Sequence, residues 1–220
     1  MIAAQFGKTI YSWEGEDALL WKLFNDFLGV RNGFYVDVGA HHPHALSNTH
    51  FLYENGWRGI NIDAMPGSMA AFKQFRPEDT NIECGVSKLP GMLRFSMFEE
   101  AALNGFLPDS MVEYHVRRGC DLVNQAEVQT ESLASILTRV DAPREIDLLS
   151  VDVEGLDIEV LESNDFSRWR PKVILAEIIG CSDIVSVMNS PIARFVEGKG
   201  YRTFSRLHFS TIFVDAKYVR

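Results

Sequence analysis

The feature that most constrains this chain is a recurring pair: a short β-branched or aromatic run ending on an acid or a glycine, then a segment of helical period. Phe34–Val38 closes on Gly39, residues 59–63 end on Asp63, residues 146–153 carry Ser150 and Asp152 among apolar neighbours, and residues 172–178 carry Glu177. Between the runs, apolar residues recur at helical spacing. Leu20, Phe24 and Phe27 do so beside Leu19 and Leu23 in residues 15–28, as do Met69, Phe72 and Phe75 after Pro66, and Leu133, Ile136, Leu137 and Val140. Ser47 or Asn48 is placed to cap a helix through Phe51 and Leu52, and further helices are predicted over 155–162 and from Pro191 to Gly198 or Gly200. Additional strands are predicted over 81–86 and 92–98, with a closing hairpin over 201–205 and 210–214. Strands that alternate with helices need crossover connections, so they form a mostly parallel sheet covered on both faces. The expected fold is doubly wound α/β with a C-terminal antiparallel hairpin at or near the sheet edge.

No repeat or low-complexity linker divides the 220 residues, so they read as one domain with an N-terminal helix at 15–28. Residues 99–127 show no period, and so long a stretch inside a compact domain predicts a lid or substrate insertion. Thirty acidic against 21 basic residues give a net charge of −9, which argues against nucleic acid as a partner but permits a small ligand in a local site. No apolar run reaches the ~18–20 residues of a membrane span, and residues 1–10 lack the apolar core of a leader, so a cytoplasmic protein is expected. Cys84, Cys120 and Cys181 are odd in number and widely spaced, which fits reduced thiols.

In such sheets ligands sit beyond the carboxyl ends of the strands. Gly39 therefore marks a first site, but Ala40, His41, His42, Pro43 and His44 follow it, so the G-x-G-x-x-G dinucleotide fingerprint is absent. Asp63, at the next strand end, can accept both hydroxyls of a ribose. Gly85 and Val86 end the third strand, where backbone can flank an adenine. Asp152 and Glu154, two apart on extended backbone, point to the same side, and two acids at an apolar strand end are costly unless they hold protons or a cation. A zinc site on His41, His42 and His44 needs a longer-spaced partner, which His115 or His208 could supply but nothing in the sequence places nearby, so a ring lining the pocket or acting as a base is expected of this loop. A nicotinamide-dependent oxidoreductase is supported only by the sheet and Asp63. A catalytically silent nucleotide-binding module is opposed by the Asp152 and Glu154 pair.

Several of these segments, in this order, resemble the FkbM family of S-adenosylmethionine-dependent methyltransferases. They are Phe34-Tyr35-Val36-Asp37-Val38-Gly39-Ala40, Ser47-Asn48-Thr49, Trp57-Arg58-Gly59-Ile60 and Leu149-Ser150-Val151-Asp152-Val153-Glu154-Gly155. Upstream, Tyr11-Ser12-Trp13-Glu14-Gly15-Glu16-Asp17 is similar to the family's S-Q-x-G-E-D segment, with Trp13 where glutamine is usual. The resemblance covers residues 11–214 and implies a Rossmann-like class I methyltransferase sheet, S-adenosylmethionine as cofactor and an oxygen acceptor. The implied activity is O-methylation of a small-molecule or glycan acceptor, a sugar or other hydroxylated metabolite. By position it implies Asp37, Gly39, Ala40, His41 and Ser47 in the first cofactor motif. Asp63 and Ala64 would hold the ribose, Gly85 and Val86 would flank the adenine, and Asp152 would stand beside the reacting centre. A hydroxyl acceptor needs a base or a divalent cation. Asp152 with Glu154, or a loop histidine such as His42, is the candidate base. Asp152 with Glu177 is the alternative grip for Mg²⁺.

Overall fold

The computed structural model describes residues 9–219. The expectation for residues 1–10 therefore falls, at 1–8, outside the described residues. The strands in chain order are β1 (Phe34–Val38), β2 (Arg58–Asp63), β3 (Thr80–Glu83), β4 (Gly85–Val86), β5 (Gly91–Phe98), β6 (Leu122–Glu131), β7 (Leu148–Val151), β8 (Val173–Glu177), β9 (Tyr201–Arg206) and β10 (Ser210–Asp215). The α-helices are α1 (Glu16–Lys22), α2 (His50–Glu54), α3 (Met69–Phe75), α4 (Asp109–Arg117), α5 (Leu133–Arg139), α6 (Asp157–Glu162), α7 (Ile184–Met188) and α8 (Pro191–Gly198).

The main sheet has seven strands in the order β3-β2-β1-β7-β8-β10-β9. β1, β2, β3, β7 and β8 run parallel, while β10 lies antiparallel to both β8 and β9. This is the doubly wound arrangement expected, with the closing hairpin at one edge. Side chains alternate between the two faces, as the two-residue repeat of a strand requires. Val36, Val38, Ile60, Ile62, Leu149 and Val151 pack with α5, α6 and α8 residues such as Leu137, Val160 and Val196. Tyr35, Leu148, Leu175 and Ile212 pack on the opposite face with Leu20, Phe24, Leu52 and Trp57. Burial on both faces explains why these runs are continuously apolar.

Register sets the site. Val36 stands opposite Ile60 on one side and Leu149 on the other, so the carboxyl ends of β1, β2 and β7 finish level. Val151 pairs with Ala176, which brings the next residues, Asp152 and Glu177, side by side.

Three expectations change. The predicted strand 81–86 divides at Cys84: β3 stays in the main sheet and β4 joins a smaller sheet of order β4-β6-β5. A Cβ at Gly85 would approach Phe106 to 2.6 Å and Thr130 to 2.7 Å, so the turn between the sheets requires a glycine. Residues 99–127 hold a short 3₁₀ turn (Ala101–Leu103), α4 and the first half of β6. They gave no sequence signal because α4 buries only Val112 and most of β6 is half-buried or exposed. The helix expected at 15–28 is α-helical to Lys22 and continues as a π-helical turn over Leu23–Leu28. Helix α7, opened by a reciprocal Asp183–Ser186 capping box, was not anticipated. Among the described residues no helix is long and apolar enough to cross a membrane.

Candidate functional site

The loop leaving β1 is held against β2 and β7. Gly39 has φ 79°, and a Cβ there would collide with the Asp152 carbonyl, so only glycine lets the two strand ends meet. The Gly39 and Ala40 N–H groups donate to the Ile62 carbonyl at 2.9 and 3.1 Å. The His41 N–H donates to Asp63 Oδ2 and the Met65 N–H to Asp63 Oδ1, both at 2.8 Å. Burial raises the Asp63 carboxyl above its usual range, and these backbone donors pull it back. Each of its oxygens has a second lone pair for a ligand. Among the described residues four non-glycines have positive φ, and three of them, His41, Leu46 and Glu154, line the cavity described below. Left-handed strain of this kind collects at functional sites.

Behind this loop lies a buried cluster built on Arg76, which is fully inaccessible. Its guanidinium donates to the Pro43 carbonyl from Nε at 3.0 Å and Nη2 at 2.6 Å, to Ser47 Oγ at 2.8 Å, to Thr49 Oγ1 at 2.8 Å and to Asn61 Oδ1 at 3.3 Å. The Thr49 hydroxyl in turn donates to Asp37 Oδ2 at 2.6 Å. Alternation along β1 turns Asp37 away from Val36 and Val38 and toward this cluster, so one hydroxyl links the buried cation to the first motif's carboxylate. Tyr35 and Asp79 extend the network through a short hydrogen bond, and Asp79 also accepts from Gly59 N–H at 2.8 Å and Asn61 Nδ2 at 3.0 Å.

A second cluster stands at the ends of β7 and β8. Asp152, Glu154 and Glu177 each present a carboxylate oxygen, and the three lie within 4.8 Å of one another. Glu177 Oε2 is buried without a hydrogen-bond partner. Burial pushes the Glu154 carboxyl to about 7, helped by the Asp157 charge. Asp152 is pushed well above the carboxylate range by burial and then by Asp157, Glu154, Glu16 and Asp37. Glu177 moves the same way through burial and then Asp152 and Glu154. Asp157, at the start of α6, accepts the Val153 and Gly155 N–H groups at 3.3 and 3.2 Å and fixes the turn that carries Glu154. Three close acids with no cation between them must hold protons or gain a positive partner.

Both clusters border one cavity of about 500 Å³, within the ~300–1,000 Å³ of small-molecule sites. Of the residues predicted from sequence, Asp37, Gly39, Ala40, His41, Asp63, Ala64, Val86, Asp152, Glu154 and Glu177 line it. His42, Ser47 and Gly85 do not. The His42 ring accepts the His44 and Ala45 N–H groups through Nδ1 at 3.1 and 3.0 Å, and Ser47 is bound to Arg76. Trp13, Glu14, Glu16, Phe106 and Phe209 also line the cavity. Glu14 and Glu16 stand at the start of α1. Glu14 Oε2 accepts the Phe209 N–H at 2.9 Å, and Glu16 Oε1 accepts the Ser210 hydroxyl at 2.7 Å, strapping residues 11–16 across the strand ends. Eight carboxylates and no lysine or arginine are among the lining residues. A ligand carrying a sulfonium and an ammonium fits such a wall, whereas a pyrophosphate would be repelled. The unpartnered Glu177 oxygen and the free lone pairs on Asp63 supply acceptors for it.

A parallel sheet with an antiparallel closing strand next to β8, and a cavity at the carboxyl rim, define the Rossmann-like fold of class I methyltransferases. The Methyltransferase FkbM domain matches residues 37–203, and the chain belongs to that family. Membership implies S-adenosylmethionine as methyl donor and replaces the nicotinamide reading. No curated protein matches. Among solved structures the chain is similar to a proposed RNA methyltransferase from Pyrococcus horikoshii, at 12% identity over 93% of this chain and 83% of that one, TM-score 0.48. It is also similar to a TehB-like SAM-dependent methyltransferase from Corynebacterium glutamicum, at 13% identity over 97% and 92%, TM-score 0.47. A third is Precorrin-6y C5,15-methyltransferase from Geobacter metallireducens, at 12% identity over 83% and 78%, TM-score 0.38.

Proposed function

We propose that the protein transfers a methyl group from S-adenosylmethionine to a hydroxyl of a sugar or another hydroxylated metabolite. The observation that carries this reading is the group of Asp152, Glu154 and Glu177, three carboxylates within 4.8 Å on the cavity wall with no positive partner. When bound, the cofactor supplies an electrophilic methyl on a sulfonium. The remaining work is to align an acceptor oxygen and take its proton. Alignment alone is worth up to ~7–11 kcal/mol of barrier in the best cases. Asp63 is positioned to accept the ribose hydroxyls, with Ala64 beside it and Val86 along the adenine. Asp37, Gly39, Ala40 and His41 form the wall nearest the methionine portion. Glu154, with its carboxyl near 7, is matched to act as general base at neutral pH, and Asp152 stands next to it.

One observation favours a second version of the proton step. The three carboxylate oxygens lie close enough to share a cation, and Mg²⁺ prefers such oxygen donors, so Asp152 and Glu177 are the residues that would hold it. In either version the acceptor enters beside residues 99–127, which act as a substrate-side cover within a single domain spanning residues 1–220. The net charge and the carboxylate wall support a partner other than nucleic acid. The three free cysteines support a cytoplasmic setting. The test is methyl transfer from labelled S-adenosylmethionine to a panel of hydroxylated acceptors, with and without EDTA, for wild type and Glu154→Gln. The reading requires a methyl ether product that Glu154→Gln suppresses; methylation at nitrogen or carbon would refute it. Loss of activity in EDTA, restored by Mg²⁺, selects the cation version.

A further inference from the structure

Trp13 is 69% exposed, yet it lines the cavity. It has no ring or cation partner among the described residues. A single exposed aromatic is ordinary on a protein surface, but this one borders the cavity, and the backbone on both sides of it is held in place. The Ser12 hydroxyl donates to Asp17 Oδ1 at 2.7 Å, and Asp17 Oδ2 accepts the Tyr11 N–H at 2.8 Å. On the other side Glu14 is bound to the Phe209 N–H at 2.9 Å. The indole is thus carried by a strap whose bonds are buried or partly buried, which fixes where along the cavity it is presented. An indole presents a large apolar face and a single donor, suited to the C–H face of a saturated ring whose hydroxyls point elsewhere.

The location fits an acceptor. Asp63 ends β2, while the strap is bonded to the head of β10, four strands along the sheet. At ~4.8 Å per strand that separation is roughly 19 Å, so the two ends of the cavity serve different parts of the reaction. Asp152, just past β7, and Glu177, at the end of β8, lie between them. Charge narrows the class further: next to Trp13 stands Glu14, and the cavity wall also carries Glu154 and Glu177 and, among the described lining residues, no lysine or arginine to receive a phosphate.

We propose that the acceptor is a hydroxylated ring without negative charge, seated with one ring face on Trp13, and that sugar phosphates and nucleotide-linked sugars are refused. The proposal rests on the methyltransferase reading above and names the acceptor class of the same site. The test is saturation-transfer NMR with a panel of methyl hexopyranosides and their 6-phosphates, on wild type, Trp13→Ala and Trp13→Phe, with and without S-adenosylhomocysteine. Saturation is expected on the ring protons of at least one neutral glycoside. That signal falls several-fold in Trp13→Ala, is largely retained in Trp13→Phe, and has no counterpart among the phosphates. Equal signals from the phosphates, no signal from any neutral glycoside, or a signal unchanged in Trp13→Ala would overturn the proposal. Calorimetry with S-adenosylhomocysteine on the same three proteins separates the two claims. Binding equal in all three shows that the substitutions spare the cofactor site, whereas its absence in wild type overturns the methyltransferase reading while the glycoside result stands by itself.

Discussion

Two buried clusters of charge meet at one rim of the sheet, and they are built in opposite ways. Around Arg76 the guanidinium N–H groups reach acceptors, and the cation is relayed to Asp37 through Thr49. Around Asp152, Glu154 and Glu177, acids crowd within 4.8 Å with no donor between them, and Glu177 Oε2 is left without any partner. A closed network of this kind holds shape, because each lost bond leaves a buried polar atom unsatisfied. An open one is unstable by itself and is completed by a ligand or protons. The first cluster therefore has the character of a scaffold and the second that of the proposed site, although both are polar and buried or half-buried.

The sharpest way to break this contrast is at Glu154. Glu154→Gln should lower methyl transfer by about 10²–10⁴-fold with little change in cofactor affinity, measured by steady-state kinetics and calorimetry. Because only the ionised carboxylate accepts a proton, wild-type activity should fall as pH drops below about 7, and the variant should lose that limb of the profile. Arg76→Met attacks the other cluster. It strands the Pro43 carbonyl and the Ser47, Thr49 and Asn61 oxygens, so a loss of about 3–5 kcal/mol in stability is expected by chemical denaturation. The same change should reach activity only through the fold, with kcat preserved at low temperature.

Much of the second cluster was legible in the sequence, and little of the first. Asp152 and Glu177 stand out because an acid inside an apolar strand is expensive, and the two-residue strand repeat says which way it points. Asp63 was legible for the same reason. Arg76 gave no such signal: it follows α3 as an ordinary basic residue, and its acceptors lie 15 to 33 positions earlier in the chain. His42 read as a base, but its Nδ1 closes a local turn by accepting two backbone N–H groups. The strap was hidden for a related reason. Glu14 and Glu16 stand at the start of a helix, where acids are common, while their partners lie 195 and 194 positions away. The smaller sheet escaped notice because β6 is largely half-buried or exposed and carries no apolar alternation.

A smaller effect sharpens the comparison from the side of stability. Glu177 has a folded-state carboxyl raised by burial and by its acidic neighbours, so the folded chain binds that proton more tightly than the unfolded one. The stability this confers is present below the unfolded value of about 4.3 and is lost as pH rises toward the raised one. Glu177→Gln removes that dependence. It should stabilise the ligand-free protein at pH 8 by about 1–2 kcal/mol, a few degrees in thermal melting, with the advantage vanishing near pH 4. A substitution that weakens the site and strengthens the fold is what an open cluster predicts; the closed cluster predicts a weakened fold with kcat preserved.

The most direct test of the account is calorimetric titration of S-adenosylhomocysteine into wild type and Asp63→Ala. Micromolar binding to wild type and a loss of about tenfold or more in the variant are expected, from one charge-assisted ribose contact. No binding to wild type, or equal binding to both proteins, would contradict it.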